Sequence, residues 1–283
     1  MIHLTSIKEL QLQANSIRQD LITMLSAAGS GHSAGPLGLV DIFTALYFSI
    51  LNHNPKNPNW EKRDRLILSP GHVCPVRYAT MANAGYFPRK ELITLRKLGS
   101  RLQGHPSRMD LPGIELATAS LGQGLGVAVG MALAGKLKKL SHKVFCVTSD
   151  GEHDEGSTWE AINAAHKYQL DNLINIIDRN DIQISGFTHD VWPLEPLKAK
   201  YEAFGWKVFE IDGHNFKQLL SVFKQAEKVK NRPVCIIAKT IPGKGVSFME
   251  NSYHWHGKTP NAEEAKKALE ELEKDKERVV KRR

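Results

Sequence analysis

The stretch that most constrains this chain runs from Lys143 to Gly186, KVFCVTSDGEHDEGSTWEAINAAHKYQLDNLINIIDRNDIQISG. A run of β-forming residues, Val144 to Thr148, stops at Ser149-Asp150-Gly151. A helical segment follows, and a second such run, Leu173 to Ile177, stops at Asp178-Arg179-Asn180. Strand, helix and strand within about forty residues make a βαβ unit, whose two strands lie parallel and usually adjacent. In a parallel sheet the ligand crevice lies beyond the carboxyl ends of the strands. Asp150 and Asn180 stand just past those two ends, so folding brings their side chains together. Oxygen ligands on neighbouring loops suit Mg2+, which takes few protein ligands and completes its octahedron with phosphate oxygens and water. Asp-Gly and Asn-Asp are also ordinary turn residues after strands, and from this stretch alone both readings stand.

The rest of the chain repeats the alternation. Ile7, Leu10, Ala14, Ile17, Leu21, Met24 and Ala28 recur at steps of three and four, which predicts a helix over 5–28 with one buried face. Further strands are predicted at 64–69, 206–212 and 234–240, with helices at 37–51, 73–98 (Pro88 opening a second one), 125–140, 194–204 and 216–229. This pattern predicts an α/β fold, a mostly parallel sheet covered by helices on both faces. No internal repeat or linker divides the chain, so 1–283 reads as one domain. The segment 262–283 mixes Glu and Lys with few large apolar groups and is expected to be a solvated helical tail that frays at 279–283.

Composition excludes several classes of function. The longest apolar runs fall well short of the roughly twenty residues of a membrane span. The N-terminus carries no basic region before an apolar block, so no secretory signal is expected. Cys74, Cys146 and Cys235 are far apart and show no metal-ligand spacing, which suits a reducing cytoplasm. A net charge of +8 is spread along the chain without interleaved aromatics, which argues against nucleic acid. A moderate positive field attracts phosphorylated small molecules, and it also keeps a protein soluble.

Four of the twelve histidines fall in loops at the same predicted edge of the sheet. His32 follows Gly29-Ser30-Gly31 ahead of a helix, and His72 follows Pro70-Gly71 beyond a strand. His105 lies in a long loop rich in Gly and Pro, and His256 lies beyond the last strand. Neutral imidazoles donate to phosphate or hydroxyl oxygens and move protons near neutral pH. A crevice with Mg2+, several imidazoles and glycine-rich loops suits a diphosphate and a polyhydroxylated substrate. Beside it, Ser120-Leu121-Gly122-Gln123-Gly124 leads into a helix of small residues, which implies close packing against a sheet or another subunit.

Asp150-Gly151 followed about thirty residues on by Asn180 resembles the thiamine-diphosphate motif of the transketolase family. Gly31-His32 with Gly35-Pro36-Leu37-Gly38, Arg63-Asp64-Arg65 with Gly71-His72, Gly104-His105-Pro106, Leu121-Gly122-Gln123-Gly124 and His256-Gly257 resemble further signatures of that family, in its order. The resemblance implies that Asp150, the side-chain oxygen of Asn180 and the carbonyl of Ile182 hold Mg2+ against thiamine diphosphate. It gives Gly151 a backbone amide for a phosphate oxygen and His72 and His256 hydrogen bonds to the diphosphate. Ala119, Ser120 and Leu121 would line the cofactor. His32, His105 and His256 would face the sugar hydroxyls. Glu155 and Glu160 match carboxylates that link two active sites across a dimer interface, although Ser157 and Glu160 also fit a helix capping box.

The chain departs from the pattern at Ser149, Ser33 and Ala119-Ser120, and none of these removes a ligand. The resemblance covers the N-terminal half of a transketolase. It implies a subunit that works with a C-terminal partner carrying the pyrimidine-binding domain, as a dimer of such pairs, moving a two-carbon ketol unit between sugar phosphates. A donor of another kind, such as a branched ketose phosphate or the pyruvate of a deoxyxylulose-phosphate synthase, and a non-catalytic scaffold role are the alternatives.

Overall fold

The computed structural model describes residues 3–281. Seven strands occur among them: β1 (Arg65–Leu68), β2 (Val144–Ser149), β3 (Leu173–Arg179), β4 (Ile182–Gln183), β5 (Gly186–Phe187), β6 (Lys207–Asp212) and β7 (Val234–Lys239). Five form a parallel sheet in the order β1-β2-β3-β7-β6, and β4 and β5 pair antiparallel as a small hairpin. The α-helices are α1 (Ile7–Ala28), α2 (Ala34–Gly38), α3 (Val40–Ala45), α4 (Cys74–Asn83), α5 (Gln123–Leu137), α6 (Gly156–Lys167), α7 (Thr188–Val191), α8 (Leu197–Ala203), α9 (Phe216–Ala226) and α10 (Ala262–Lys281).

Strand alternation divides the core into two layers. Phe145, Val147, Ile174, Ile176, Val234 and Ile236 face the layer holding α1 to α4, α9 and α10. Val144, Cys146, Leu173, Ile177, Cys235 and Ile237 face the layer of α5, α6 and α8. Both faces are therefore apolar, which is why these strands read as continuous hydrophobic runs rather than alternating ones. The predicted parallel α/β sheet covered on both faces is the one observed. The predicted helix over 37–51 is broken into α2, α3 and a wider π turn at Leu46–Ile50. The β4–β5 hairpin has no counterpart among the predicted elements, since two-residue strands leave no periodicity to read.

Helix α1 starts at a capping box, with Ser6 Oγ accepting from Glu9 N–H and Glu9 Oε2 accepting from Ser6 N–H. It ends at Gly29, whose left-handed backbone (φ 65°) turns the chain toward His32. The predicted face of α1 is buried from Leu10 to Met24 and half-buried at its ends, Ile7 and Ala28; Asn15, Arg18, Ile22 and Leu25 beside it are buried too. Helix α10 accounts for part of this. The segment 262–281 is helical as expected, but it is not solvated on all sides: Ala265, Ala268, Leu272 and Val279 are buried, and Asn15 Nδ2 donates to the Leu272 carbonyl at 2.8 Å. Small residues at helical spacing suffice to dock it on α1, a signal that its charged majority hides. Val279 is packed rather than frayed, while residues 282 and 283 lie outside the described residues.

This docking predicts that Leu272→Ala lowers the unfolding free energy by about 2–5 kcal/mol in a denaturant titration. Lys274→Ala, an exposed change on the same helix, is expected to stay within about 0.5 kcal/mol of the parent.

Candidate active site

The carboxyl ends of four neighbouring strands deliver the site. β1 runs into Pro70-Gly71-His72, β2 into Asp150-Gly151, β3 into Asn180-Asp181-Ile182, and β7 into the long loop that reaches His256. The register pairs Ser149 with Asp178, and the next backbone N–H, that of Asp150, donates to the Asp178 carbonyl at 3.2 Å. Asp150 and Asn180 therefore rise side by side, as the βαβ reading expected. One cleft of about 360 Å3 is lined by His32, His72, His105, His256, Ala119, Leu121, Asp150, Gly151, Asn180 and Ile182. Ser120 is exposed beside it without lining it. Glu155 and Glu160 stand exposed at the start of α6 and do not line the cleft.

Glycines set the approach of these loops. A Cβ on Gly71 would lie 2.0 Å from the Thr118 carbonyl oxygen, so only glycine lets the His72 turn pack against the segment leading to Ala119. Gly122 has φ 79°, and a Cβ there would meet Ser157 Oγ at 2.6 Å. Ser157 Oγ in turn donates to the Gly122 carbonyl at 3.3 Å, and α6 opens at Glu155 without a side-chain cap. The Ser157–Glu160 capping box is thus absent: Ser157 is committed to the neighbouring turn.

The imidazoles cluster tightly. Ring centroids are 4.7 Å apart for His32 and His72, 5.3 Å for His72 and His256, and 5.6 Å for His32 and His256. Burial, followed by mutual repulsion with the neighbouring imidazoles, lowers His72 to about 3. Burial, followed by repulsion from the His256 imidazole, the Arg96 guanidinium and the His105 imidazole, lowers His32 to about 4. Burial also lowers His105 and His256. His32 and His72 are neutral at pH 7, so each carries one donor and one acceptor nitrogen. His32 Nδ1 is buried and meets no hydrogen-bond partner among the described residues, a polar atom that a bound oxygen would satisfy.

The acidic side of the cleft is as organised. Asp150 is 1% exposed, and its Oδ2 accepts from Arg179 Nη1 at 2.9 Å and from Asp181 N–H at 2.8 Å. Its Oδ1 accepts from Gly151 N–H at 2.8 Å, so that amide reaches a phosphate oxygen only if this short-range bond gives way. Asn180 Nδ2 donates to Asp178 Oδ2 at 2.9 Å and its Oδ1 accepts from Ile182 N–H at 3.0 Å, which fixes the amide's orientation. Thr240 donates to the other Asp178 oxygen. Burial outweighs the Arg179 guanidinium and raises Asp150 to about 6. Burial, reinforced by the Asp150 carboxylate, raises Asp178 to about 7.

Two buried acids, only one of them paired with a guanidinium, stand beside an oriented amide oxygen. This hard-oxygen donor set suits a divalent cation. Among the described residues no three His, Cys, Asp or Glu side chains are grouped to hold a metal. The set here relies instead on amide and backbone oxygens.

Sequence reasoning missed three members. Glu152 is fully buried and ties three turns together: Ser69 Oγ donates to it, as do Gly122 N–H and Ser149 N–H, both at 2.9 Å. Nothing in GEHDE says which acid turns inward. Asp178 and Arg179 read in the sequence as strand-end residues, although a charged pair closing an apolar run is a usable signal. Behind them lies a buried relay with one direction of donation. Thr148 Oγ1 donates to Asn175, Asn175 Nδ2 donates to Tyr201 Oη at 3.0 Å, and Tyr201 Oη contacts His153 Nε2 at 2.8 Å. Burial lowers His153 to about 4, so it is neutral, with Nδ1 facing the Ser149 carbonyl at 2.9 Å.

With this fold and cleft in place, the chain is a member of the transketolase family: residues 10–281 match the family's thiamine diphosphate binding domain. Its relatives include proteins of the same extent. It is 43% identical over 267 residues to a 6-deoxy-6-sulfo-D-fructose transketolase subunit of Clostridium sp. (strain MSTE9), covering 94% of this chain and 97% of the relative. It is 40% identical over 275 residues to an apulose-4-phosphate transketolase subunit of Phocaeicola vulgatus, covering 97% and 98%. The transketolase of Campylobacter jejuni superposes with a TM-score of 0.90 at 37% identity; the match covers 97% of this chain and 46% of that one.

The raised pKa of Asp178 carries a sign. The metal-free folded chain keeps a proton that the unfolded chain releases above about pH 3.8, so this carboxyl weakens the fold as pH rises toward 7. Asp178→Asn removes that dependence. Its stability relative to the parent, from chemical denaturation without divalent cations, is expected to improve by on the order of a few kcal/mol between about pH 5 and pH 8. A difference that does not move with pH contradicts the assignment.

Proposed function

We propose that this chain is the N-terminal, cofactor-binding subunit of a two-subunit transketolase. In this reading it transfers a two-carbon ketol unit from a ketose phosphate or similarly charged ketose to an aldose. One observation carries the proposal: three imidazoles packed within 5.6 Å of one another face an oriented Asp150–Asn180 pair across one cleft. Relatives of the same extent, named as transketolase subunits, support the two-subunit form. The whole of 1–283 is taken as one diphosphate-binding domain.

Thiamine diphosphate, when bound, supplies the carbanion equivalent that cleaves and remakes the carbon–carbon bond. The chain's own part is to hold and orient. Asp150 Oδ1, Asn180 Oδ1 and the Ile182 carbonyl would take Mg2+, with Arg179 and Asp181 N–H steadying the far oxygen of Asp150. His72 and His256 donate to diphosphate oxygens, and Ala119 and Leu121 exclude water from the cofactor's apolar side. Neutral His32, His105 and His256 then receive and return protons at the sugar hydroxyls, a role that needs an imidazole free to accept. Glu155 and Glu160, exposed on α6, are assigned to the contact with a second copy or with the partner that supplies the pyrimidine-binding domain. Three unpaired, buried cysteines support a cytoplasmic setting, and among the described residues no helix is long and apolar enough to cross a membrane.

Calorimetric titration of thiamine diphosphate into the chain with its partner subunit tests the site. Binding is expected to require Mg2+, and Asp150→Ala is expected to weaken it at least about a hundredfold, the scale of losing a charged ligand. Ketol transfer is expected only with both subunits present. Full turnover by the chain alone, or binding indifferent to Mg2+ and to Asp150→Ala, would falsify the proposal.

A further inference from the structure

The backbone carbonyl of Ser149 needs a donor that the sheet does not give. β1 pairs with β2 only as far as Leu68 opposite Val147, and Ser69 N–H closes that edge on the Val147 carbonyl at 2.9 Å. Ser149, two residues further along β2, has no partner in β1. Its N–H donates to Glu152 Oε2 at 2.9 Å, and its carbonyl receives His153 Nδ1 at 2.9 Å. The same Ser149–Asp150 peptide presents its N–H to the Asp178 carbonyl at 3.2 Å. One peptide unit, directly ahead of the Asp150 side chain, is thus held at both ends. The His153 imidazole is one of the two holds.

The orientation of that ring is itself determined. Carbonyl oxygens only accept, so Nδ1 carries the hydrogen, with the Asp150 carbonyl as a second, longer acceptor at 3.2 Å. Nε2 is then the accepting nitrogen, and it faces Tyr201 Oη at 2.8 Å. Asn175 Nδ2 donates to the same phenol oxygen at 3.0 Å, which leaves the phenol hydrogen for Nε2. Thr148 Oγ1 donates to Asn175 Oδ1 at 3.2 Å and completes the chain. The backbone of His153 is committed as well: its N–H donates to the Asp150 carbonyl at 2.9 Å, and its carbonyl accepts from Trp159 Nε1 at 2.8 Å. His153, Tyr201, Asn175 and Thr148 are each 2% exposed or less. Tyr201 belongs to the apolar layer of Leu173, Ile177 and Trp206. Apolar side chains of the same shape would fill such a place without burying polar groups, often at no loss of stability. What the polar version adds is direction, a donor aimed at one carbonyl.

Helix α8, which carries Tyr201, reaches the same turn by a second route. Glu195, just ahead of α8, accepts from Arg179 Nη2 at 3.1 Å, while Arg179 Nη1 donates to Asp150 Oδ2 at 2.9 Å. The α8 region therefore holds the Asp150 carboxylate through Arg179 and the Asp150 backbone through Tyr201 and His153. We propose that His153 and Tyr201 are positioning residues that set the metal-binding turn before a cation arrives: the imidazole fixes the Ser149–Asp150 peptide, and the phenol fixes the imidazole. Neither residue lines the cleft, so both act through Asp150 rather than on cation or cofactor. The consequence for the cation rests on the reading of Asp150 as a metal ligand; the hold on the turn does not. Groups that orient a metal ligand in this way tune affinity as strongly as many direct contacts.

Two replacements separate the ring nitrogens. The amide nitrogen of asparagine stands as many bonds from the backbone as Nδ1, and the amide of glutamine as many as Nε2. His153→Asn therefore keeps a donor for the Ser149 carbonyl, whereas His153→Gln keeps only the contact with Tyr201. In the full chain without metal or cofactor, hydrogen–deuterium exchange of peptides spanning 149–154 reads the turn, with 144–147 inside β2 reading overall stability. His153→Gln is expected to speed exchange severalfold more in the turn than in β2, and His153→Asn to return it toward the parent rate. No change in the turn, or an equal change in turn and strand, overturns the proposal. Should His153→Gln fail to fold, Tyr201→Phe, which removes one hydroxyl, carries the same measurement. In the two-subunit complex at saturating thiamine diphosphate, His153→Gln is expected to raise the half-saturating Mg2+ concentration by about 10–100-fold, Tyr201→Phe by less, and His153→Asn to restore it. Losses of Mg2+ affinity that merely follow the fall in melting temperature across the three variants would make both residues ordinary parts of the core and overturn the proposal. A parent complex without Mg2+-dependent cofactor binding would count against the function proposed above and leave the exchange experiment to judge the turn.

Discussion

The parallel pairing of β2 with β3 is the constraint from which the site follows. Ser149 opposite Asp178 leaves Asp150 and Asn180 each one step beyond its strand, with the Asp150 N–H still donating to the Asp178 carbonyl. A slip of one residue would turn every side chain of β3 to the other face, sending Ile174 and Ile176 out of one core layer and Leu173 and Ile177 out of the other. Because both faces of this strand are apolar and buried, the register is held by how side-chain volumes fit in the two layers rather than by an apolar-polar contrast. The placement of two polar groups is thus fixed by packing several ångströms below them.

Charge in this cleft is arranged by burial more than by pairing. The imidazoles are kept neutral on one side, and the acids Asp150 and Asp178 are held above their usual range on the other. Arg179 alone joins Asp150 to Asp181 and Glu195, at 2.9, 2.5 and 3.1 Å. Such a site leaves negative charge under-compensated, which is the condition a divalent cation would relieve. Glu152 has the complementary structural role, anchoring the exits of β1 and β2 and the approach to α5 through three donors. A buried carboxylate with three hydrogen bonds loses more from losing one partner than the average bond is worth.

Much of this is legible from the chain alone, for a physical reason. The strands of a two-sided sheet are short, apolar and bounded by turn residues, so β1, β2, β3, β6 and β7 announce themselves, and polar residues just past their ends mark the crevice. The histidines at 32, 72, 105 and 256 and the pair Asp150 and Asn180 stand out in that way, and all six line one cleft. What stays hidden depends on tertiary context. The docking of α10 rests on Ala265, Ala268 and Leu272, too few to outweigh its charges in a reading by composition. The inward turn of Glu152 is decided by neighbours remote in sequence, Ser69 and Gly122.

The central claim is that one carboxylate and one carboxamide, brought up by adjacent strands, share a divalent ion. The most direct measurement is an anomalous difference map from crystals grown with Mn2+ and thiamine diphosphate. The account predicts a single strong peak within coordinating distance, about 2.0–2.4 Å, of Asp150 and Asn180 side-chain oxygens and the Ile182 carbonyl. A cofactor bound with no peak between those groups, or with the metal held elsewhere, would contradict it.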